Sequence, residues 1–198
     1  RVKGAAAAAV VAHCRAPYPP PPRPCAPASV AVGGITPIES ASRMEVFYSD
    51  TFPLPLPEGH PFPGDKYRML RDALAAAPLA VGVRWREAPR AEDPDLLRVH
   101  TAAYLDAVKT GSLPKDHLRR IGLPWSEQML ERSLRSCGAT VAAAQAVVGG
   151  APEGAALYLA GGTHHAGPER GEGFCVFNDV AVAARVIQQP KRGGVSQV

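Results

Sequence analysis

Hydrophobic positions organise this chain only from about residue 44 onward. Glu45-Val46-Phe47-Tyr48 is a short apolar run that predicts a strand. Residues 54–63 alternate leucine or phenylalanine with prolines, which forbid helix and sheet interior alike, so a loop is expected, with His60 inside it. From Asp65 to Ala77 a helix is predicted, with Met69, Leu70, Ala73, Leu74 and Ala77 as its apolar stripe and Pro78 as its stop. Val81 to Trp85 reads as a second short strand. Asp93 or Asp95 can cap a short helix ending near His100, and Thr101 can cap the next, closed by Gly111. His100 and Tyr104 are spaced to share a helical face. Residues 113–125 read as a loop with at most a turn of helix.

Ser126 opens the longest helical pattern, which runs to about Val148 and ends at Gly149-Gly150. Met129, Leu130, Leu134, Val141, Ala144 and Val148 form its expected buried side. Gly138 inside it costs about 1 kcal/mol relative to alanine or marks a close approach. Ala155 to Ala160 reads as a parallel strand buried on both faces. After a glycine-punctuated loop, Asn178 or Asp179 caps a helix carrying Val180, Val182, Ala183, Val186 and Ile187, halted by Pro190. Helix, strand, helix in this order predicts an α/β fold with a parallel sheet and flanking helices. A crossover helix ordinarily feeds another parallel strand. Residues 191–198 contain no convincing apolar strand, so the βαβ unit reads as unfinished and the domain as truncated. Its last strand would then present an open edge, through which a partner protein could pair.

Composition changes the picture mainly at the front. Residues 1–43 hold the alanine run Ala5 to Ala9, seven prolines between Pro17 and Pro27, five basic residues and a single acid, Glu39. Such a segment favours extended conformations over a packed core and reads either as a disordered leader or as an organelle transit peptide. A plastid or mitochondrial destination follows from the second reading, nucleus or cytoplasm from the first. The expected organisation is therefore a leader over 1–43, a partial α/β domain over 44–190 and an irregular tail over 191–198. The net charge of +4 lies in the leader, since residues 44–198 carry seventeen charges of each sign. No basic patch argues for direct nucleic-acid binding, and no apolar run reaches the roughly 18 residues of a membrane span. The cysteines, Cys14, Cys25, Cys137 and Cys175, form no C-x-x-C pair, which argues against a disulfide framework or a zinc knot. A reducing compartment is the default.

The candidate chemistry is concentrated between Leu157 and Asp179. An apolar strand runs into Gly161-Gly162-Thr163-His164-His165, and active sites of such sheets lie beyond the carboxyl ends of the strands. Adjacent side chains on a regular strand point to opposite faces. Both histidines can face one substrate only if the backbone bends, as Gly161 and Gly162 permit. Paired imidazoles suit acid–base work because histidine titrates near ~6.5. Each needs a partner to set its tautomer, usually a carboxylate or a backbone carbonyl, and Glu169, Glu172 and Asp179 are the nearby acids.

Gly161-Gly-Thr-His-His-Ala166, followed by Gly173-Phe174-Cys175 and Asn178-Asp179, closely resembles the signature of the zinc-dependent histone deacetylase family, which includes acetylpolyamine amidohydrolases. Gly59-His60-Pro61 with Lys66-Tyr67, Val99-His100-Thr101 to Tyr104, and Gly122-Leu-Pro-Trp-Ser-Glu127 agree more loosely. The spelling is nearest to compact bacterial-type and class IV-like members. The resemblance implies an arginase/deacetylase-like sheet and hydrolysis of acetyl-lysine amides or small acetylated amines. It implies that His165 is the general base and that His164 is its electrostatic partner, which assists the leaving amine. Gly173 and Phe174 would line the tunnel that holds the acyl-lysine stem, with Cys175, Asn178 and Asp179 as scaffold. Zinc is the implied cofactor. Family members take its ligands from an Asp-x-His strand after this helix and from a later Asp, and the polarising Tyr comes later still. No Asp-x-His occurs in the chain. The expectation is a chain with the acid–base residues of the site but not its metal set, inactive as it stands, with a non-catalytic half-domain that binds a partner or a non-functional product as the alternatives.

Overall fold

The computed structural model describes residues 44–77, 82–151 and 154–188. The leader, the stop at Pro78, the first residue of the predicted Val81 strand, Pro190 and the tail lie outside the described residues. Three strands form one parallel sheet: β1 (Met44–Tyr48), β2 (Val83–Glu87) and β3 (Ala156–Tyr158), in the order β2-β1-β3. Met44 pairs with Val83 and Glu45 with Ala156, which fixes both registers. β1 is the central strand, and its consecutive residues Val46 and Phe47 are both buried, one on each face.

Six helices accompany the sheet among the described residues: α1 (Lys66–Ala76), α2 (Asp93–Leu96), α3 (Ala102–Thr110), α4 (Lys115–Ile121), α5 (Glu127–Val148) and α6 (Asp179–Ile187). None of them is long and apolar enough to cross a membrane. Three begin on caps that the sequence predicts. Thr101 Oγ1 accepts from the Tyr104 amide at 3.3 Å, Ser126 Oγ from Met129 at 3.0 Å, and Asn178 Oδ1 from Ala181 at 3.0 Å. Each such cap contributes about 1 kcal/mol. α2 starts differently: its N-cap is Glu92, with no side-chain bond, while Asp93 and Asp95 sit in the first turn beside Pro94. α4 replaces the loop expected between Leu113 and Trp125.

α5 is the spine. It packs against α6, β1 and β3. Phe47, Ala88 and Ala139 close its contact with the sheet, and Leu134, Cys137 and Val141 enter the main core with Leu96, Val108, Ile121, Phe177 and Val182. Cys137 is fully buried, and burial pushes its thiol far above the ordinary value, so it is an inert core residue.

Three expectations about buried faces fail. Most of the α1 stripe faces outward, with Met69 63% exposed and Leu70 and Ala73 exposed beside it, while Leu74 and Ala77 are half-buried as expected, together with Tyr67 and Arg71. Arg71 forms an ion pair with the buried carboxylate of Asp50 at 3.0 Å and lies over the Tyr48 ring, so its long stem covers the surface the stripe was expected to cover. β3 is not buried on both faces: among the described residues it pairs with β1 alone, and Leu157 is 43% exposed. Val148 lies at the frayed end of α5 and is also exposed.

Gly138 marks a close approach. A Cβ there would stand 2.2 Å from the Pro89 carbonyl oxygen and 2.6 Å from the Ala91 amide, where the chain leaving β2 crosses α5. Helix propensity alone makes Gly138→Ala stabilising by about 1 kcal/mol. The crossing makes it destabilising by about 1–3 kcal/mol through overpacking. Urea unfolding of the variant should show a lowered midpoint; a raised one would mean that the backbones are not in contact there.

Candidate active site

The site is built where the sheet ends and α6 begins. Beyond β3 the backbone turns at Gly162, which has φ +91°, and delivers His164 and His165 into a turn rather than onto opposite faces of a strand. Both side chains are exposed. Their rings lie 4.4 Å apart between centroids and are tilted by only 30°, so they form a stacked pair.

The residue that fixes this turn is Asp179, which is completely buried. Its Oδ2 accepts from the Gly162 amide at 3.0 Å and from Thr140 Oγ1 at 2.7 Å, and its Oδ1 accepts from the Thr163 amide at 2.8 Å. Thr163 Oγ1 accepts in return from the Asp179 amide at 3.3 Å. A carboxylate without water is stable only with its lone pairs occupied, and the first turn of a helix favours its charge. The neighbouring Asn178 completes the clamp. Its Nδ2 donates to the carbonyls of His164 and Ala166, at 3.1 and 2.8 Å. Thr140 was not predicted, since it lies 39 residues away on α5 and no local pattern announces it.

None of the three acids expected to set the histidine tautomers does so. Asp179 is occupied by the turn, and Glu172 faces Arg170 at 3.9 Å. Glu169 is exposed and has no hydrogen bond to either ring. His164 is oriented instead by a backbone group: its Nδ1 lies 2.9 Å from the Gly162 carbonyl oxygen. A carbonyl only accepts, so Nδ1 carries a hydrogen, and in the neutral ring the lone pair is on Nε2. The His165 ring has no hydrogen-bond partner among the described residues. It stacks beside Gly173, where an added Cβ would meet its Cγ and Cδ2 at 3.5 Å.

Gly173 and Phe174 form the tip of a tight turn, closed by the Cys175 amide donating to the Glu172 carbonyl at 2.9 Å. Both have positive φ, +56° and +67°, as a type I′ turn demands. Phe174 is the only non-glycine residue with positive φ among the described residues. That conformation costs an L-residue about 1–2 kcal/mol. The turn is held by α4, whose C-terminal carbonyls at Arg120 and Ile121 accept from the Gly173 and Phe174 amides at 3.0 and 2.7 Å. The Phe174 ring stands edge-on to Phe62, 5.3 Å away. The structure therefore brings His164, His165, Gly173 and Phe174 to one surface. Cys175 lies beneath it, buried, with its thiol pushed up by desolvation.

His100 supports the loop from below. Its Nε2 accepts from the Asn178 amide at 3.0 Å, while its Nδ1 faces the Pro168 and Gly167 carbonyls outside hydrogen-bonding geometry. The Thr101 amide donates to the Pro168 carbonyl at 3.1 Å, and the buried Tyr104 hydroxyl donates to the Val176 carbonyl at 2.8 Å. The His100 and Tyr104 rings do meet, 5.6 Å apart, but not on a helical face, since His100 precedes the N-cap of α3.

The described residues do not fit a zinc ion: no group of three or more His, Cys, Asp or Glu side chains is placed to hold a metal among them. Asp179 has both oxygens committed to the turn, as expected of a scaffold residue.

Two outcomes test the scaffold. Asp179→Asn keeps the shape but sets an amide N–H against the donors of the turn. It should cost about 1–3 kcal/mol in urea unfolding and move the Gly162 and Thr163 amide resonances; an unchanged midpoint would remove the clamp from the account. Burial holds His100 below its ordinary value of 6.5, so the unfolded chain takes up a proton before the folded chain does. Stability from this group is then full above about pH 6.5 and falls as the pH drops through that value toward the folded one. His100→Gln, whose amide oxygen can accept from Asn178 without titrating, should flatten that part of the profile.

Comparison with known proteins places the chain in a family. Residues 60–198 match the model of the histone deacetylase domain. An uncharacterized protein of Picosynechococcus is 41% identical over 148 residues, covering 73% of this chain and 47% of its own length. A histone deacetylase-like amidohydrolase of Pseudomonas aeruginosa is 33% identical over 150 residues, 73% of this chain and 37% of its own. The acetoin utilization protein AcuC of Staphylococcus aureus is 29% identical over 65% of this chain and 35% of its own length. Among solved structures, the HD domain of HDA15 superposes with a TM-score of 0.61 at 24% identity over 75% of this chain and 44% of that one. An HDAC homolog crystallised with SAHA gives 0.58 at 23% identity, covering 74% and 41%. These structures share the fold. The chain spans less than half the length of the relatives it matches. By its sequence and its fold, the chain belongs to the histone deacetylase domain family.

Proposed function

We propose that this chain carries the acid–base wall of a zinc-dependent amidohydrolase acting on acetyl-lysine side chains or small acetylated amines. The single observation that carries the reading is the stacked His164–His165 pair at the end of a parallel strand, beside the Gly173-Phe174 turn. His165, exposed and with no ring hydrogen bond among the described residues, is the general base that accepts a proton from the attacking water. His164, with Nδ1 on the Gly162 carbonyl, turns Nε2 outward to steady the developing charge and return a proton to the leaving amine. Phe174 presents an aromatic face and Gly173 a bare backbone, a combination suited to a methylene stem.

Zinc, the family's metal, would when bound supply a Lewis acid toward the amide carbonyl and the attacking water. The residues described here do not fit the metal, so its ligands come from other residues. Two histidines without a Lewis acid do not replace it, and the 198 residues alone are inactive under this proposal. A second reading, a non-catalytic module that pairs with a partner along β3, is favoured by the exposure of Leu157.

Purified as these 198 residues and dialysed against zinc, the protein should retain no stoichiometric metal by elemental analysis. It should release no acetate from an acetyl-lysine peptide or an acetylated diamine. One equivalent of tightly held zinc with chelator-sensitive turnover would refute this division of the site. In a polypeptide that also supplies the metal ligands, His165→Ala should lower kcat by about 100-fold or more; undiminished turnover would exclude His165 as the base.

A further inference from the structure

His60 lies in the proline-rich loop, where a histidine has no evident task. In the fold both of its ring nitrogens are engaged. Nδ1 accepts from the Phe62 amide at 3.1 Å, and Nε2 lies 3.0 Å from the Gly122 carbonyl oxygen, 62 residues along the chain. An amide only donates and a carbonyl only accepts, so the ring is neutral and Nε2 carries its hydrogen. This one tautomer ties the 54–63 loop to the end of α4.

What it ties them around is Phe174. Three successive carbonyls at the end of α4 hold three parts of one wall: Arg120 takes the Gly173 amide, Ile121 the Phe174 amide and Gly122 the His60 ring. The Phe174 ring lies between these anchors, 6.1 Å from the His60 ring, 5.3 Å from Phe62 and against Gly122. Gly122 has φ +76°, and a Cβ there would come 3.1 Å from Phe174 Cε1. The backbone of Phe174 is held at positive φ by α4, and its ring is held by the loop that His60 brings in.

We propose that His60 is a positioning residue. By bridging Phe62 to Gly122 it fixes the Phe174 ring and so sets the width of the passage for the acyl-lysine stem. The passage itself rests on the functional reading above, but the position of the ring does not. Glutamine can replace one of the two bonds and alanine neither.

The test labels the full chain with 4-fluorophenylalanine, assigned at Phe174 and at the buried Phe177 as an internal control. Wild type should give one sharp fluorine line for each. His60→Ala should shift or broaden the Phe174 line and leave Phe177 unmoved; His60→Gln should partly restore it. Gly122→Ala, which leaves His60 in place, should move the Phe174 line through direct contact. A Phe174 line indifferent to His60→Ala overturns the proposal, and so does one that moves only together with Phe177. Neither result depends on zinc or turnover, so the fate of the proposed activity is decided separately by the metal and acetate measurements.

Discussion

The carboxylate of Asp179 has no water around it, and three donors from two distant parts of the chain take its place. Two are amides of the turn after β3, and the third is a hydroxyl from the middle of α5. That arrangement makes the histidine loop part of the core rather than a surface excursion. A strand leaving a sheet can follow many paths, and backbone amides without partners are costly wherever water is excluded. By offering acceptors at one place, Asp179 selects one path, and along it His164 and His165 come to lie side by side. The same residue begins α6, so the position of the pair is tied to the packing of α6 on α5. Removing an oxygen at Asp179 therefore acts on both the fold and the chemistry.

The second half of the surface is held from a different direction. α4 is a short helix with little hydrophobic reason to exist beyond Ile121, yet its C-terminal carbonyls hold Gly173 and Phe174 where a strained turn would otherwise relax. Helix ends leave such carbonyls without intrahelical partners. Here they serve as fixed acceptors, and the strain at Phe174 is offset by the bonds it allows. The two histidines depend on α5 and α6, the aromatic wall on α4 and the proline-rich loop. They meet where His165 passes Gly173.

The sequence made local features readable because their physics is local. The caps at Thr101, Ser126 and Asn178 each bond to an amide three residues on, and Gly111 closes α3 in the left-handed conformation it was expected to adopt. The histidine pair was readable because its motif is compact. Periodicity could find α1 but only part of its inward face. Tyr67 and Arg71 bury long stems through contacts with Arg132, Tyr48 and Asp50, and no count of apolar residues weighs an ion pair or a guanidinium on a ring. Of the two partner types expected for the histidines, a carboxylate or a backbone carbonyl, His164 takes the carbonyl two residues back, which spacing alone does not single out. Thr140 and Gly122 matter only through contacts that the folded chain creates.

The turn after β3 holds the two imidazoles side by side and fixes the orientation of the His164 ring through a backbone carbonyl. Long-range nitrogen–proton NMR of the histidine rings in the 198-residue chain reads this directly. In the neutral ring, His164 should carry its hydrogen on Nδ1, as its contact with the Gly162 carbonyl requires. A His164 ring averaging between tautomers, or fixed with hydrogen on Nε2, would contradict the account.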